Sequence, residues 1–237
     1  MKNVLCFLTA MIVIACNQTK NQKIIIQDGN NSYYQEEEII LSLSSQSPDT
    51  LISGGKMYVL KPINEAYFKS ISSNLEEVMP NKSIIINSDS LIIKCTEKEV
   101  VLKNNTTDGE SMVIYEYLTT LHEIGYVHIR ALCWECTEDI FINIKNGKEF
   151  TFWHNPIVSP NNTLIVSYCW DLEAQFMPNG LQLFKIVGDS IVKIFDWNIS
   201  TWGPEEVKWE SDTSIVIKRA TPSDNIKYKY DFVRMSF

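Results

Sequence analysis

The feature that most constrains the fold is a nearly continuous succession of short apolar segments separated by turn residues, from residue 83 to the C-terminus. Its clearest part begins with alternating apolar residues from Ile140 to Ile144, continues through Asn146-Gly147, and resumes from Phe150 to Trp153. Alternation with a period of two is typical of β-strands. Asn-Gly between two such segments is a strong hairpin signal, because both turn positions need positive φ. The sequence therefore predicts an antiparallel hairpin here.

Other apolar segments bounded by polar turn residues predict further strands at 23–27, 38–43, 56–60, 83–86, 91–94, 99–103, 112–118, 126–132, 181–187, 191–197, 207–209, 214–218 and 227–237. We expect the last strand to lie against the first one and close a sheet. The fold class predicted is all-β, mainly antiparallel, with propeller-like or sandwich-like sheets.

One helix is expected in the N-terminal third. Asn64 is a suitable N-cap, apolar residues follow at helical spacing, and Pro80 stops the pattern. The apolar positions are Phe68, Ile71, Leu75 and Val78. The spacing predicts a helix of about 15 residues packed on a sheet face.

The chain begins with an apolar segment of a different kind. Lys2 supplies a positive charge, and residues 4–15 are apolar except for Thr9. A membrane-spanning helix needs about 20 apolar residues. An export signal needs only about 7–15. The segment therefore indicates export, and one alternative is an ordinary secretory signal followed by a coincidental cysteine.

Val13-Ile14-Ala15-Cys16 resembles the lipobox of bacterial lipoproteins. The resemblance implies a signal peptide at 1–15, cleavage before Cys16, and lipidation of Cys16 with fatty acyl chains such as palmitate. Residues 16–22 would then be a polar tether and residues 23–237 a single β-rich domain. In this family an Asp after the cysteine often retains the protein at the inner membrane, and an acidic segment there directs surface export in some bacteria. Asn17 follows instead, without acidic neighbours, which favours an outer membrane location facing the periplasm.

A second resemblance lies in the body of the chain. The segment from Ile157 to Val166, which contains Ser159-Pro160-Asn161-Asn162, is similar to the Ser-Pro-Asp-Gly-Lys hairpin of TolB-type propeller blades. Asn161 and Asn162 stand where Asp and Gly are usual. The resemblance implies a blade-like hairpin and brings no functional residues with it.

Charge excludes one class of partner. Removal of the signal removes one of the 21 basic residues, Lys2, and none of the 29 acidic ones, so the net charge changes from −8 to −9. Nucleic acid binding depends on Lys and Arg that neutralise phosphates, so we expect no nucleic acid partner. An acidic surface favours a basic protein partner.

Four cysteines of the mature body raise alternatives. Cys133-Trp134-Glu135-Cys136 has the spacing of a thioredoxin-type redox motif or of half a zinc site. The residues after Cys136 predict a strand rather than the helix a redox motif needs, and no second pair completes a zinc site. Export permits disulfides. With Cys95 and Cys169 the set is even, so we expect at least one disulfide involving Cys133 or Cys136, without a defined connectivity.

All six tryptophans lie in the C-terminal half of the chain. Trp153, Trp197 and Trp209 fall inside predicted strands and are expected in the core. Trp170 and Trp202 fall in predicted loops, and with Asp171 they are the candidate binding surface, because aromatic planes favour recognition.

The sequence contains no Gly-x-Ser-x-Gly elbow, phosphate-binding glycine loop or His-Glu-x-x-His helix. The three histidines, His122, His128 and His154, make no recognisable constellation. We therefore expect no enzyme activity, no cofactor and no metal. The hypothesis is an anchored lipoprotein whose β domain binds a protein or glycan in the envelope or serves a structural role there. The alternatives are an anchored inhibitor or immunity protein against a toxin or lytic enzyme and, less favoured, a glycan-acting or redox enzyme.

Overall fold

The computed structural model describes residues 25–28, 31–34, 49–72, 82–224 and 226–237. The chain divides into two compact units, Met1–Ser44 and Ser45–Phe237. The described part of the first unit is an antiparallel hairpin of β1 (Ile25–Asp28) and β2 (Asn31–Tyr34). The predicted domain start at residue 23 and the predicted strand at 38–43 lie outside the described residues.

Four antiparallel sheets build the larger unit, and the all-β prediction is confirmed. Strands β3 (Thr50–Ser53) and β4 (Lys56–Ile63) belong to sheet IV, whose other strands come from the end of the chain. Sheet I contains β5 (Ile84–Ile86), β6 (Ser90–Lys94) and β7 (Glu99–Lys103). Sheet II contains β8 (Val113–Leu121), β9 (Tyr126–Cys133), β10 (Cys136–Asn143) and β11 (Glu149–Phe152). Sheet III contains β12 (Ile157–Val158), β13 (Leu164–Cys169), β14 (Gly180–Val187) and β15 (Ser190–Asn198). The rest of sheet IV is β16 (Gly203–Ser211), β17 (Ser214–Pro222) and β18 (Tyr228–Ser236).

Sheet IV joins the two ends of the larger unit. Its strand order is β16-β17-β18-β4-β3, so the last strand of the chain pairs with an early one. The pairing aligns Phe232 with Ile63 and Met235 with Leu60. The C-terminal strand therefore pairs with a strand from the N-terminal third, but its partner is β4 rather than the first strand, which pairs with β2.

Three apolar clusters show how the sheets pack face to face. Ile129 of sheet II packs with sheet I, and Phe141 of sheet II packs with sheet III. Phe184 of sheet III contacts sheet II, whereas Leu183 contacts sheet IV. Successive side chains of a strand point to opposite faces, so sheets II and III are buried on both sides. Each large side chain buried in this way contributes roughly 1.5–3 kcal/mol.

Helix α1 (Glu65–Ser70) is shorter than predicted. The predicted cap is confirmed, because Asn64 Oδ1 accepts a hydrogen bond from the backbone N–H of Tyr67 at 2.8 Å. Phe68 is buried and its ring centroid lies 5.1 Å from that of Phe232, so the helix packs on sheet IV. Ile71 is already extended, and its N–H bonds to the carbonyl of Phe68, which ends the helix.

The predicted positions Leu75 and Val78 lie outside the described residues. Among the described residues, no helical segment has the length and apolar character required to cross a bilayer.

The hairpin predicted at Asn146-Gly147 is present, with β10 paired to β11. Of the two turn residues only Gly147 has positive φ, at +65°. The turn is longer than the two-residue type, since the N–H of Gly147 donates to the carbonyl of Asn143. In the blade-like hairpin between β12 and β13, Asn162 takes φ of +59°, at the position where a glycine is usual. Asn tolerates this left-handed conformation better than most residues.

Gly180 provides a test of the packing between β14 and β15. Its φ is +146°, and a Cβ atom there would lie 1.9 Å from the carbonyl oxygen of Trp197. We expect Gly180→Ala to lower the free energy of unfolding by about 3 kcal/mol or more, measured by urea denaturation. The control is Gly188→Ala, where φ is +57° but no atom lies within 4 Å. It should cost only about 1–2 kcal/mol, and equal costs would contradict the packing described.

Candidate functional site

A fully buried carboxylate lies between sheets II and III. Asp139 on β10 has 0% of its surface exposed. Its Oδ1 lies 2.8 Å from His128 Nε2 and accepts from Arg130 Nε at 3.2 Å. Its Oδ2 accepts from Arg130 NH2 at 3.2 Å and from the backbone N–H of Asn155 at 2.7 Å. His154 Nδ1 lies 2.8 Å from Oδ2. We call these five residues the Asp139 cluster.

The register of the β9–β10 hairpin assembles half of this cluster. His128 and Arg130 are two residues apart on β9 and therefore share a face. Arg130 is the direct cross-strand partner of Asp139, and His128 is the partner of Phe141. The ring of Phe141 packs edge-on against the ring of His128, with centroids 5.0 Å apart. The face that holds the charges is thus the same face that packs on sheet III.

The other half comes from the loop after β11. The backbone of His154 is held against sheet III, because its carbonyl accepts from the backbone N–H of Tyr168 at 3.0 Å and from Ser167 Oγ at 2.7 Å. Asn155 follows with a left-handed φ of +42°, and its side-chain oxygen accepts from Arg130 NH2 at 3.1 Å. The loop therefore bridges the two sheets through both backbone and side chains.

Electrostatics keep Asp139 ionised. Burial alone would raise the pKa of Asp139, but the contacts with His128, His154 and Arg130 outweigh it and hold the pKa well below its usual range. His154 Nδ1 lies close to Oδ2 but makes no hydrogen bond with acceptable geometry to any described atom.

Both carboxylate oxygens are already occupied by the surrounding donors. Asp139 is therefore the centre of a charge network that ties two strands and a loop together. The side chains of His154 and Arg130 retain 23% and 26% exposure, so the cluster meets solvent on their side. Among the described residues, no group of three His, Cys, Asp or Glu side chains is arranged to hold a metal ion.

Spacing among the histidines does not reveal this cluster, because its other members are Arg130, Asp139 and Asn155. The signal that could have revealed it is the pattern His128-x-Arg130 on one strand with Asp139 on the next. Linking them requires the register of the hairpin, which a two-residue turn at Trp134-Glu135 would have supplied. His122, by contrast, lies in an exposed turn after β8.

The candidate binding surface is only partly at the surface. Trp202 is 2% exposed and packs edge-on against Trp197, with ring centroids 5.9 Å apart. The expectation that Trp202 is exposed is therefore wrong. The reason is that the segment after β15 folds over the core between sheets III and IV, where Ile199 is also buried. A loop position did not imply a surface position.

Trp170 and Asp171 lie at the start of the loop 170–179. The Trp170 ring is half-buried and packs edge-on against Tyr228 at 5.0 Å. Asp171 accepts hydrogen bonds from the backbone N–H groups of Gln175 at 3.1 Å and Met177 at 2.7 Å, which closes the loop on itself. A cavity of about 240 Å³ is lined by Asp171, Leu172, Gln175, Met177, Asn179, Ile199 and Ser200. This is smaller than the roughly 300–1,000 Å³ typical of small-molecule pockets.

All four described cysteines are free thiols. Cys133 and Cys136 are direct cross-strand partners at the tip of the β9–β10 hairpin, so Trp134-Glu135 is indeed a turn. Burial raises the pKa of Cys133 to about 12, with a further contribution from Cys136. Cys136 begins a β-strand, so it does not receive the helix N-terminus that lowers the thiol pKa in thioredoxin-type motifs. The disulfide stays a prediction, and Cys16 lies outside the described residues.

Comparison with protein-family models, curated proteins and solved structures finds no match for this chain. In its described residues the larger unit is an antiparallel β fold of four sheets packed face to face, with a buried Asp–His–Arg network between the central two.

The Asp139 cluster predicts a large effect of one uncharged substitution. Asp139→Asn would leave the Arg130 guanidinium facing the sheet interface without its counter-charge. We expect a loss of about 3–5 kcal/mol in the free energy of unfolding at pH 7, measured by urea denaturation. The matched control is Asp189→Asn, which breaks the solvent-exposed pair with Lys145 and should change stability little. Equal effects of the two substitutions would contradict the assigned role.

The pH dependence of stability gives a second prediction. Because the pKa of folded Asp139 is depressed, its contribution is fully present above the unfolded pKa of about 4 and is lost as pH falls below that value. The wild-type protein should therefore lose more stability between pH 7 and pH 3 than Asp139→Asn does. Urea denaturation midpoints at the two pH values measure this, and an identical loss in both proteins would refute it.

Proposed function

We propose that this protein is a membrane-anchored lipoprotein of the bacterial envelope whose four-sheet body binds another molecule without catalysing a reaction. The observation that supports anchoring is the lipobox-like Val13-Ile14-Ala15-Cys16 after a short apolar segment. A single buried acyl chain holds a protein only reversibly, whereas two or more hold it stably. A lipoprotein-type cysteine bears several chains, so attachment at Cys16 would be stable. Asn17 and its non-acidic neighbours favour the periplasmic side of an outer membrane.

A non-catalytic role is favoured by how the body uses its charged groups. The charges of the Asp139 cluster bind one another, and Asp171 is occupied by amide groups of its own loop. These groups organise the structure around them. The proposal therefore assigns binding to exposed side chains rather than to a buried catalytic group.

The binding surface proposed is the loop end, defined as Trp134, Trp170, Asp171, Phe176 and the adjoining cavity. Trp134 is 41% exposed and Phe176 is 61% exposed. The two segments that present them are in contact, because the backbone N–H of Thr137 donates to Met177 Sδ at 3.3 Å. Exposed aromatic side chains supply much of the binding energy at protein interfaces and also stack on sugars. The partner class is an envelope protein or glycan.

The second candidate is an anchored inhibitor or immunity protein against a toxin or lytic enzyme. The observation that favours it is the net charge of −9 on the mature chain, which complements a basic target. Glu135, Glu138 and Glu173 add acidic groups to segments of the loop end.

Anchoring is tested at the acylated residue. We expect Cys16→Ser to shift the protein from the membrane fraction to the soluble fraction and to abolish the mass added by acyl chains. Cys169→Ser is the control, since that buried residue of β13 lies far along the chain from the signal. Unchanged fractionation and mass in Cys16→Ser would refute the anchor.

Binding is tested with two single substitutions of exposed apolar residues. We expect Phe176→Ala to weaken capture of a partner from envelope extracts about tenfold, as removal of an interface anchor does. Ile52→Ala on β3, which is 71% exposed but outside the loop end, should leave capture unchanged. A single tightly bound toxin or lytic enzyme would favour the immunity role. Equal capture by both variants would contradict the surface proposed.

A further inference from the structure

Two thiols face each other at the tip of the β9–β10 hairpin. Cys133 and Cys136 are Cα partners in the ladder, so their side chains lie on the same face of the hairpin. The turn between them is closed by Glu135, whose φ is +57°. Directly opposed residues of an antiparallel pair have Cα atoms about 4.5–5.5 Å apart. Disulfides span about 4.4–6.8 Å between Cα atoms, so the backbone already has the separation that a disulfide requires.

We propose that Cys133 and Cys136 form a disulfide with each other across this hairpin, and that Cys95 and Cys169 stay outside it. The sequence left this connectivity open, and the structure supplies two reasons for choosing it.

The first reason excludes Cys169. Ile129 and Ala131 of β9 face sheet I, and the alternation of side chains places Cys133 on that face as well. Cys136, opposite Cys133, shares the face. Cys169 belongs to β13 of sheet III, whose residue Ile165 faces the other side of sheet II. By the same alternation Cys169 points to that other side, and the backbone of sheet II separates it from the pair.

The second reason excludes Cys95. Cys95 does pack on the sheet I side of sheet II. However, the backbone N–H of the next residue, Thr96, donates to the carbonyl of Ile144 at 2.9 Å. This bond places Cys95 beside the end of β10 opposite to Cys136. From Cys136 to Asn143, the last residue of β10, there are seven residue steps, which amount to about 23 Å along an extended strand. This distance is well beyond the reach of a disulfide.

The reaction is thiol–disulfide exchange with an oxidant that itself holds a disulfide. The thiolate of one cysteine attacks the oxidant, forms a mixed disulfide and expels one oxidant thiolate. The thiolate of the other cysteine then attacks the mixed disulfide, which closes the Cys133–Cys136 bond and expels the second. The pair loses two electrons and two protons, and the oxidant is reduced to two thiols. Since burial raises the pKa of Cys133 to about 12, oxidation of the folded protein should accelerate as pH rises.

In cells the reaction rests on the proposed export, because the envelope is oxidising. The test therefore has one arm with purified protein and one with protein taken from the envelope. Full-length reduced protein is incubated with oxidised glutathione, free thiols are alkylated, and the protein is digested with trypsin. Cleavage after Arg130 and Lys145 leaves both cysteines on the single peptide 131–145. We expect this peptide without alkyl groups and about 2 Da lighter than its reduced form, because two hydrogen atoms are lost.

Matched variants make the assignment specific. Cys95→Ser and Cys169→Ser should leave the mass of peptide 131–145 unchanged. In Cys133→Ser no second thiol can resolve the mixed disulfide, so Cys136 should carry either glutathione or an alkyl group, and the peptide that has lost two hydrogen atoms should be absent. A wild-type peptide that stays doubly alkylated after glutathione treatment would overturn the proposal. So would a cross-link from Cys133 or Cys136 to a peptide that contains Cys95 or Cys169. Oxidation of the purified protein together with reduced thiols in cell extracts would support the pairing and count against the envelope location.

Discussion

Burial of sheet II on both faces is the constraint on which the rest of the body depends. Ile129 on β9 packs toward sheet I. Phe141 on β10, which is the cross-strand partner of His128, packs toward sheet III. A strand buried on both faces cannot use polar residues freely on either side, because each buried polar group needs a partner. The segment from Ile140 to Ile142 is accordingly apolar at every position, although simple alternation of apolar and polar residues would suggest one solvated face.

The Asp139 cluster is a buried polar group of this kind whose members are partnered. It also specifies the register of β9 against β10. An ionised carboxylate inside the sheet interface is stable only with opposite charges and hydrogen-bond donors around it. If β9 slipped by one residue against β10, its alternate side chains would change faces. Arg130 would then point toward the apolar layer with sheet I and leave Asp139 without its partner.

These features differ in how far the sequence predicts them. Strands and hairpins follow from local patterns, so Asn64 as a cap and the turn at Asn146-Gly147 were predictable. Trp202 was not, since its burial depends on where the segment after β15 folds relative to two sheets. The Asp139 cluster was not predictable either, because it requires Arg130 to lie opposite Asp139. Local alternation predicts which face a side chain is on, but it does not distinguish registers that differ by two residues. The predicted length of the helix was wrong for a similar reason. Ile71 fits the apolar spacing of a helix, but its backbone is already extended.

The same register governs both the Asp139 cluster and the pair of thiols. The alignment that places Asp139 opposite Arg130 also places Cys136 opposite Cys133, three residues nearer to the tip of the hairpin. One end of the β9–β10 hairpin thus carries an internal charge network, then a pair of thiols, then the exposed Trp134. Covalent closure at the thiols would restrict separation of the two strands where the hairpin reaches the loop end. If the binding surface lies on that tip, the charge network of Asp139 and the proposed Cys133–Cys136 bond would both restrict its motion. Neither of these two interactions requires a catalytic group.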